Sequence, residues 1–379
     1  MTLPYWRLSW VYGGYFAALG VLVPYWTVYL SDLGFRAEQI GELTALLVGT
    51  KLIAPTLWGI ISDRYDNVLA MLRWAVALSA LTFLGYFFLR GFNSYWLLTL
   101  LFGFFWNAAL PQCEVATLSY LGVNRHRYSQ IRLWGSVGFV IAVVIMGWVL
   151  DRVGSWHVLP AVAGLLILLG LGAGLLPRLE AQPRKTNVSM PALLSNPEVM
   201  AFFLIYLLLQ FAHGPYYTFY SVFLDALGYP KAVIGALWAL GVIAEIVLFV
   251  WIRPLLVYWS LRRLLVASLL LAAVRWLMIA WGSGSLAVLL IAQLLHAASF
   301  GGAHVAAIHL VDHYFGKTHP GKGQALYSSL SFGMGGILGS LFAGHGWQVL
   351  GPAWVFSTAA LACLVALVLA MTSIGDHRV

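Results

Sequence analysis

The chain is short of charge: 13 acidic and 21 basic residues among 379 make up only 9% of the sequence. So few charged groups cannot cover a water-soluble protein of this length, which excludes a soluble globular domain. Cysteine is scarcer still. Cys113 and Cys363 both fall in apolar runs, so there is no disulfide framework and no thiolate metal cluster, and both read as small core residues. No G-x-x-x-x-G-K-[ST] segment occurs, which removes a phosphate-cradling loop and, with it, transport driven by the chain's own ATP hydrolysis. No cofactor is implied. The opening Met1-Thr2-Leu3-Pro4-Tyr5-Trp6-Arg7 has neither a multiply charged stretch nor a small-residue cleavage site, so the first apolar run is expected to remain as a helix.

Apolar residues are abundant instead, at 61% of the chain, with 15% aromatic and a mean hydropathy of +0.87. A membrane-spanning helix needs about 20 mostly apolar residues. Twelve such segments are predicted, at 6–31, 39–61, 69–89, 94–118, 132–152, 157–177, 198–226, 231–252, 262–281, 285–313, 321–345 and 350–373. The fold class is therefore an all-α polytopic membrane protein. The stretch from Pro177 to Pro197, with Glu180, Arg184, Lys185 and Asn187, is the one linker candidate. It separates a bundle of six helices at 1–177 from a second at 198–379, with 178–197 between them.

One short segment occurs twice. Leu33-Gly34-Phe35 with Ile40-Gly41 is matched 194 positions on by Leu227-Gly228-Tyr229 with Ile234-Gly235, and each copy follows an aromatic run, Pro24-Tyr25-Trp26-Thr27 or Pro215-Tyr216-Tyr217-Thr218. Six spans lie on either side of the linker, so both halves start on the same membrane side and the repeat is parallel. Duplicated membrane units of this kind point to a transporter that rocks one half against the other around a central site.

A net charge of +8 raises nucleic acid as a partner, but the placement of the charges argues for membrane topology instead. With the amino terminus in the cytoplasm, fourteen basic residues fall in inner loops, tails and helix ends. Four (Arg36, Arg90, Arg152, Lys231) fall outside and three (Lys51, Arg132, Arg275) within spans. The positive-inside rule then places both termini in the cytoplasm. The expected partners are the lipid bilayer, a small-molecule substrate and protons, with no nucleic acid and the monomer as the working unit.

Between the second and third spans stands Gly59-Ile60-Ile61-Ser62-Asp63-Arg64, which resembles the loop signature of the major facilitator superfamily. The resemblance implies two pseudo-symmetric six-helix bundles and a cytoplasmic latch in which Gly59 allows close helix contact and Asp63 and Arg64 join neighbouring helices. The usual basic tail of the signature is absent, since Tyr65-Asp66-Asn67 follow. Within the superfamily, Arg132-Leu133-Trp134-Gly135-Ser136-Val137-Gly138-Phe139 is similar to span five of the phenylpropionate permease group, itself related to the lactose permease group. Leu209-Gln210, Ala212-His213, Tyr216-Tyr217, Leu237 to Glu245, Val274-Arg275-Trp276 and Gln293 to His296 extend the likeness over most of the chain. The resemblance implies a bacterial inner membrane location.

Charges inside spans are costly, about 2.5–3.5 kcal/mol each at a helix centre, and are kept where they are paired or useful. Lys51 and Glu245 occupy equivalent positions in the two repeats with opposite sign. They read either as an anion anchor and a substrate or proton ligand, or as a structural ion pair. Glu114 and Arg132 lie eighteen residues apart across a short basic loop. By resemblance to the lactose permease group they contribute to a sugar site, and solvated surface charges are the other reading. Asn107 stands two helical turns before Glu114, on the same face. On span seven, Gln210, His213, Tyr217 and Tyr220 form a polar and aromatic stripe, with Trp238 on the next span and Gly214-Pro215 expected to break the helix beside it. The stripe reads as packing or as a pocket wall. Arg275 and His296 match the proton-coupling network of the lactose permease group, but Ser299 stands where that group has a carboxylate, so Glu245 becomes the leading mid-membrane proton carrier. His304, His309, His313 and Asp312 lack a second ligand cluster, and no metal site is assigned.

The expected function is proton-coupled symport of a small organic substrate, an aromatic or other organic acid being favoured. A sugar or nucleoside symporter and a drug exporter are the alternatives within transport. A polytopic membrane enzyme or a sensor is the alternative from a different class, and the sequence offers no nucleophile or metal constellation to support an enzyme.

Overall fold

The structure is a computed structural model and describes residues 3–65, 67–122, 124–179, 196–316 and 320–378. The linker expected at 178–197 lies for the most part outside the described residues, and so does the side chain of Asp63. In lipid no water satisfies backbone N–H and C=O groups, so each segment meets its own hydrogen bonds as a helix. Among the described residues, twelve helices are long and apolar enough to span: α1 Tyr5–Asp32, α2 Ala37–Ser62, α3 Val68–Phe87, α4 Phe92–Leu121, α5 Arg125–Val153, α6 Ser155–Gly174, α7 Pro197–Ala226, α8 Lys231–Tyr258, α9 Leu261–Gly282, α10 Leu286–Phe315, α11 Gly323–Val349 and α12 Pro352–Ser373. In the central windows of α1 and α7, 67% of residues are buried, against 28% and 33% in α2 and α8, so the first helix of each half is its axis.

The chain divides into two compact units, one of residues 1–186 with 230–236, the other of residues 187–229 with 237–379. In the first, α1 packs chiefly on α5 and α6 and α3 on α4; in the second, α7 packs on α11 and α12 and α9 on α12. The twice-occurring Leu-Gly-aromatic segment is a helix ending. Gly34 and Gly228 take φ of +82° and +85°, a region open to glycine without strain. Their amides bond to Ser31 O and Asp225 O at 2.9 Å, and the next amides, of Phe35 and Tyr229, bond back to Leu30 O and Leu224 O at 3.1 and 3.0 Å. This pair of bonds is the Schellman ending, which satisfies carbonyls that the helix leaves open.

Glycine also sets how closely the helices meet. A Cβ on Gly20 would lie 2.7 Å from Phe139 O, so α1 and α5 touch through backbone; at the equivalent Gly214, 194 positions on, a Cβ would lie 2.5 Å from Gly339 Cα on α11. Small residues allow such approach where lipid gives no hydrophobic drive between helices. The break expected at Gly214-Pro215 does not occur: α7 is helical throughout Pro197–Ala226 with Pro215 inside it. Pro215 removes one N–H, but Phe211 O, which that N–H would have met, faces Gly339 on α11, and packing holds the helix straight through. The irregular turns lie elsewhere. A 3-10 turn, Thr50–Leu52, interrupts α2, and π turns occur at Ala297–Gly302 in α10 and Ser328–Gly335 in α11.

Helix ends are closed by charge. Arg73 of α3 donates to Ala173 O, Gly174 O and Leu176 O at 3.1, 3.2 and 2.8 Å, and Arg7 donates to Leu175 O at 3.0 Å, so two cations sit at the carboxyl end of α6. Asp151 accepts from the amides of Lys231 and Ala232 at 2.6 and 2.9 Å and so caps residues 230–236 within the first unit. In the second unit the tail after α12 is docked. Glu198 Oε1 accepts from Tyr314 Oη at 2.9 Å, Gly375 N at 2.8 Å and His377 Nε2 at 2.7 Å, and Leu261 N donates to His377 O at 2.8 Å. Beside it, a hydrogen bond from Ser260, with the Arg262 charge adding to it, holds the Asp376 carboxyl below its usual range.

Two outcomes follow from these contacts. Gly214→Ala forces a methyl group into the Gly339 backbone and is expected to lower the thermal midpoint by about 3–10 °C, whereas Gly59→Ala, with no atom within 4 Å of the added carbon, leaves it unchanged; thermal unfolding of the purified variants checks both. Glu198→Ala is expected to free the tail, read as faster hydrogen exchange at the Gly375 and Leu261 amides with the rest of α9 still protected.

Candidate functional site

The chemistry-bearing residues gather in two places, one within each unit. In the first, the 3-10 turn of α2 is held by hydrogen bonds. Asn107 Nδ2 of α4 donates to Leu47 O and to Thr50 Oγ1, each at 2.8 Å, and Thr50 Oγ1 donates to Leu47 O at 2.9 Å. Asn107 therefore braces the turn that carries Lys51. Lys51 itself is exposed and makes no hydrogen bond or ion pair with any described residue.

Glu114 and Arg132 are brought near one another. Tyr128 Oη donates to Glu114 Oε1 at 3.3 Å, and Arg132 lies close enough for the two charges to interact. The Arg132 guanidinium sits 3.9 Å over the Phe16 ring and 5.8 Å from that of Tyr12, a stacking that arginine's planar head favours. Tyr15 and Trp106 stack at 4.1 Å between rings, 4° from parallel. The group is thus a cation and a carboxylate framed by aromatic rings. At the signature loop, Gly59 meets no atom within 4 Å of a Cβ position, so it makes no close helix contact of the kind expected, and Arg64 is exposed.

In the second unit the aromatic stripe of α7 is buried: Gln210 is 5% exposed, His213 and Tyr220 0%, with Tyr217 half-buried and Trp238 of α8 4% exposed. Gln210 backs onto Gly335 of α11. His213, Tyr217 and Trp238 line up, with His213–Tyr217 at 5.9 Å and Tyr217–Trp238 at 6.2 Å, both pairs stacked. Trp238 Nε1 donates to Ser221 Oγ at 2.9 Å, which fixes its ring. The turn that continues α7 brings in Tyr216, missed from the stripe although 213, 216 and 220 fit one helix face equally well. Its ring lies 4.5 Å from Trp238, 5.6 Å from Trp276 and 5.9 Å from His296, and its hydroxyl donates to Gln293 Oε1 at 3.0 Å.

Arg275 of α9 is 0% exposed. Its guanidinium lies 4.3 Å from the centre of the Tyr216 ring and 4.4 Å from that of Trp276, and Nη1 donates to Ser299 Oγ at 3.5 Å. Ser299 belongs to the π turn of α10 that begins directly after His296; such widened turns recur at functional sites. His296 Nε2 stands 4.0 Å from Glu245 Oε2. The approach of α8 to α10 rests on two glycines. A Cβ on Gly241 would be 3.1 Å from Gln293 Oε1 and 3.3 Å from His296 Cδ2, and one on Gly301 would be 3.1 Å from Glu245 Cγ. Glu245, Arg275 and His296, read from the sequence as one group, thus share one aromatic-walled region of the second unit. Among the described residues no group of three His, Cys, Asp or Glu could hold a metal.

The family model described as MFS_1 like family matches residues 5–358. A probable 3-phenylpropionic acid transporter from Escherichia coli (strain K12) is 30% identical over 368 residues, covering 92% of this chain and 93% of that protein. A maltose permease from Geobacillus stearothermophilus is 25% identical over 354 residues, covering 90% and 88%. A crystal structure of the nucleoside transporter NupG shares the fold, with a TM-score of 0.86 at 18% identity, covering 98% of this chain and 99% of that one. The chain belongs to the MFS_1-like family and is an integral membrane protein, a secondary transporter of the major facilitator type rather than an enzyme.

Proposed function

We propose that the protein carries a small organic acid, an aromatic acid being favoured, across the membrane together with protons. One observation carries the reading: Glu245 and His296, 4.0 Å apart, share an aromatic-walled region with the fully buried cation Arg275. Carboxylate and imidazole are the side chains suited to taking up and releasing a proton at membrane depth, and rings with a few polar tips suit a planar organic ligand. Glu245 is the proton carrier and His296 its neighbour in the relay. Tyr217, Tyr220 and Trp238, with His213 and Gln210 behind them, form the wall for the ring. In the first unit, Lys51 is a cation without a partner among the described residues and attracts the anion. The relative named as a probable 3-phenylpropionic acid transporter is in keeping with an acid as cargo.

The excess of basic residues in alternate loops supports both termini in the cytoplasm, and the bacterial relatives support the inner membrane. The protein works as a monomer, by alternating access. A second reading, sugar or nucleoside symport, is favoured by Glu114, Tyr128 and Arg132 in the first unit, whose charged and hydroxyl groups suit a polyhydroxylated ligand.

Glu245→Gln keeps the shape of the side chain and removes its proton. In membrane vesicles, the variant is expected to exchange labelled 3-phenylpropionate across the membrane without an energy source, yet to lose accumulation driven by a pH gradient by about a hundredfold or more, the loss expected when a proton carrier is removed. Undiminished accumulation would take Glu245 out of the mechanism.

A further inference from the structure

Arg275 is neutralised only in part. No carboxylate among the described residues pairs with it, and Nη1 reaches one hydroxyl, Ser299 Oγ, at 3.5 Å. Nε and Nη2 are buried with no hydrogen-bond partner. These two nitrogens form one edge of the guanidinium, the side-on fork whose parallel N–H bonds match the two oxygens of a carboxylate. The Tyr216 and Trp276 rings offset part of the charge through their faces, and the Tyr216 hydroxyl lies close enough to interact with the guanidinium, yet Nε and Nη2 still lack a hydrogen-bond acceptor. A second donor is left open nearby. Gln293 accepts from Tyr216 through Oε1, while its Nε2 is buried without a partner. Buried polar groups are almost always satisfied, and intramembrane charges are kept where they are used. Unpaired donors of a fixed cation and an amide, meeting at the same tyrosine, are completed by an anion with two acceptor oxygens.

We infer that Arg275, with the Gln293 amide that contacts the same tyrosine, is the subsite for the carboxylate of a monocarboxylate substrate. The inference rests on the reading that the cargo is an organic acid. It makes Arg275 a substrate residue rather than a member of the proton relay, and it places the carboxylate in the second unit, with Lys51 left to attract the anion. Arg275 has no exposed surface, so loading requires the Tyr216 ring above it to turn aside.

The test is thermal unfolding of the purified full chain at neutral pH with 3-phenylpropionate, hexanoate, 3-phenylpropionamide or chloride added in turn. Both carboxylates are expected to raise the midpoint in a concentration-dependent way, with the amide and chloride at the same concentrations leaving it unmoved. Arg275→Met and Arg275→Lys are expected to weaken the carboxylate response by about tenfold or more. Ser299→Asp, which sets a carboxylate beside Nη1, is expected to raise the midpoint without ligand and to abolish the carboxylate response, and it keeps the test decisive if the Arg275 variants do not fold. A carboxylate response that survives in Arg275→Met or Ser299→Asp, an equal response to chloride or to the amide, or no response of the unmodified protein to either acid would each overturn the subsite. Uptake in vesicles separates the two ideas: an intact response at Arg275 without proton-linked uptake of 3-phenylpropionate would sink the symport reading and leave the subsite standing.

Discussion

A cation enclosed in a lipid-embedded helix bundle has to be solvated by protein groups or by cargo, and the second unit is arranged around one such cation. The Arg275 head is held against Tyr216 and Trp276 and donates to the Ser299 hydroxyl. What surrounds it depends on that placement. Trp238 is pinned through Ser221 so that its ring backs Tyr216, and the π turn of α10 turns Ser299 towards the guanidinium. Gly241 and Gly301 bring α8 near enough to α10 for Glu245 to stand beside His296. A larger residue at either glycine would push the carboxylate from the imidazole without touching either group.

The two halves share a helix plan but not a polar plan. Gly34 and Gly228 end their helices with the same pair of bonds, and Gly20 and Gly214 bring the first helix of each unit against the fifth by the same backbone contact. Geometry that lipid imposes on any six-helix unit has thus survived in both copies. Side-chain chemistry has diverged. Position 51 is a lysine in a braced 3-10 turn, and its counterpart 245 is a glutamate in an unbroken helix. The first unit leaves Lys51 exposed and Glu114 and Arg132 half-buried beside aromatic rings, while the second encloses Arg275 and His296 and keeps Glu245 half-buried.

Much of this was legible in the sequence because lipid imposes simple rules. Span lengths follow from membrane thickness, so each of the twelve helices overlaps its apolar run, most ends within four residues, although the fifth begins at Arg125 rather than 132 and the eighth runs on to Tyr258 rather than 252. Depth along a span singled out Glu245, Arg275 and His296, since an ionised group there is too costly to be incidental. Local irregularity was not legible. Pro215 reads as a helix break, yet the contact of α7 with α11 through Gly339 holds the helix continuous, a tertiary effect with no local sign. The π turns at 297–302 and 328–335 carry no periodic signature. Tyr216 was missed because two overlapping stripes fit the same helix face, and only the positions of Arg275 and Gln293 choose between them. Asn107 reads as a cavity residue from its helix face alone; in the structure its amide is engaged with Leu47 and Thr50.

The central claim is that an organic acid and protons move together through this protein. The most direct measurement is the external pH of a lightly buffered suspension of energy-depleted cells producing it, on addition of 3-phenylpropionate, maltose or a nucleoside in turn. The account predicts alkalinisation with 3-phenylpropionate alone, absent in cells lacking the protein. Alkalinisation with the sugar or the nucleoside instead, or uptake of labelled 3-phenylpropionate with no change in pH, would contradict it.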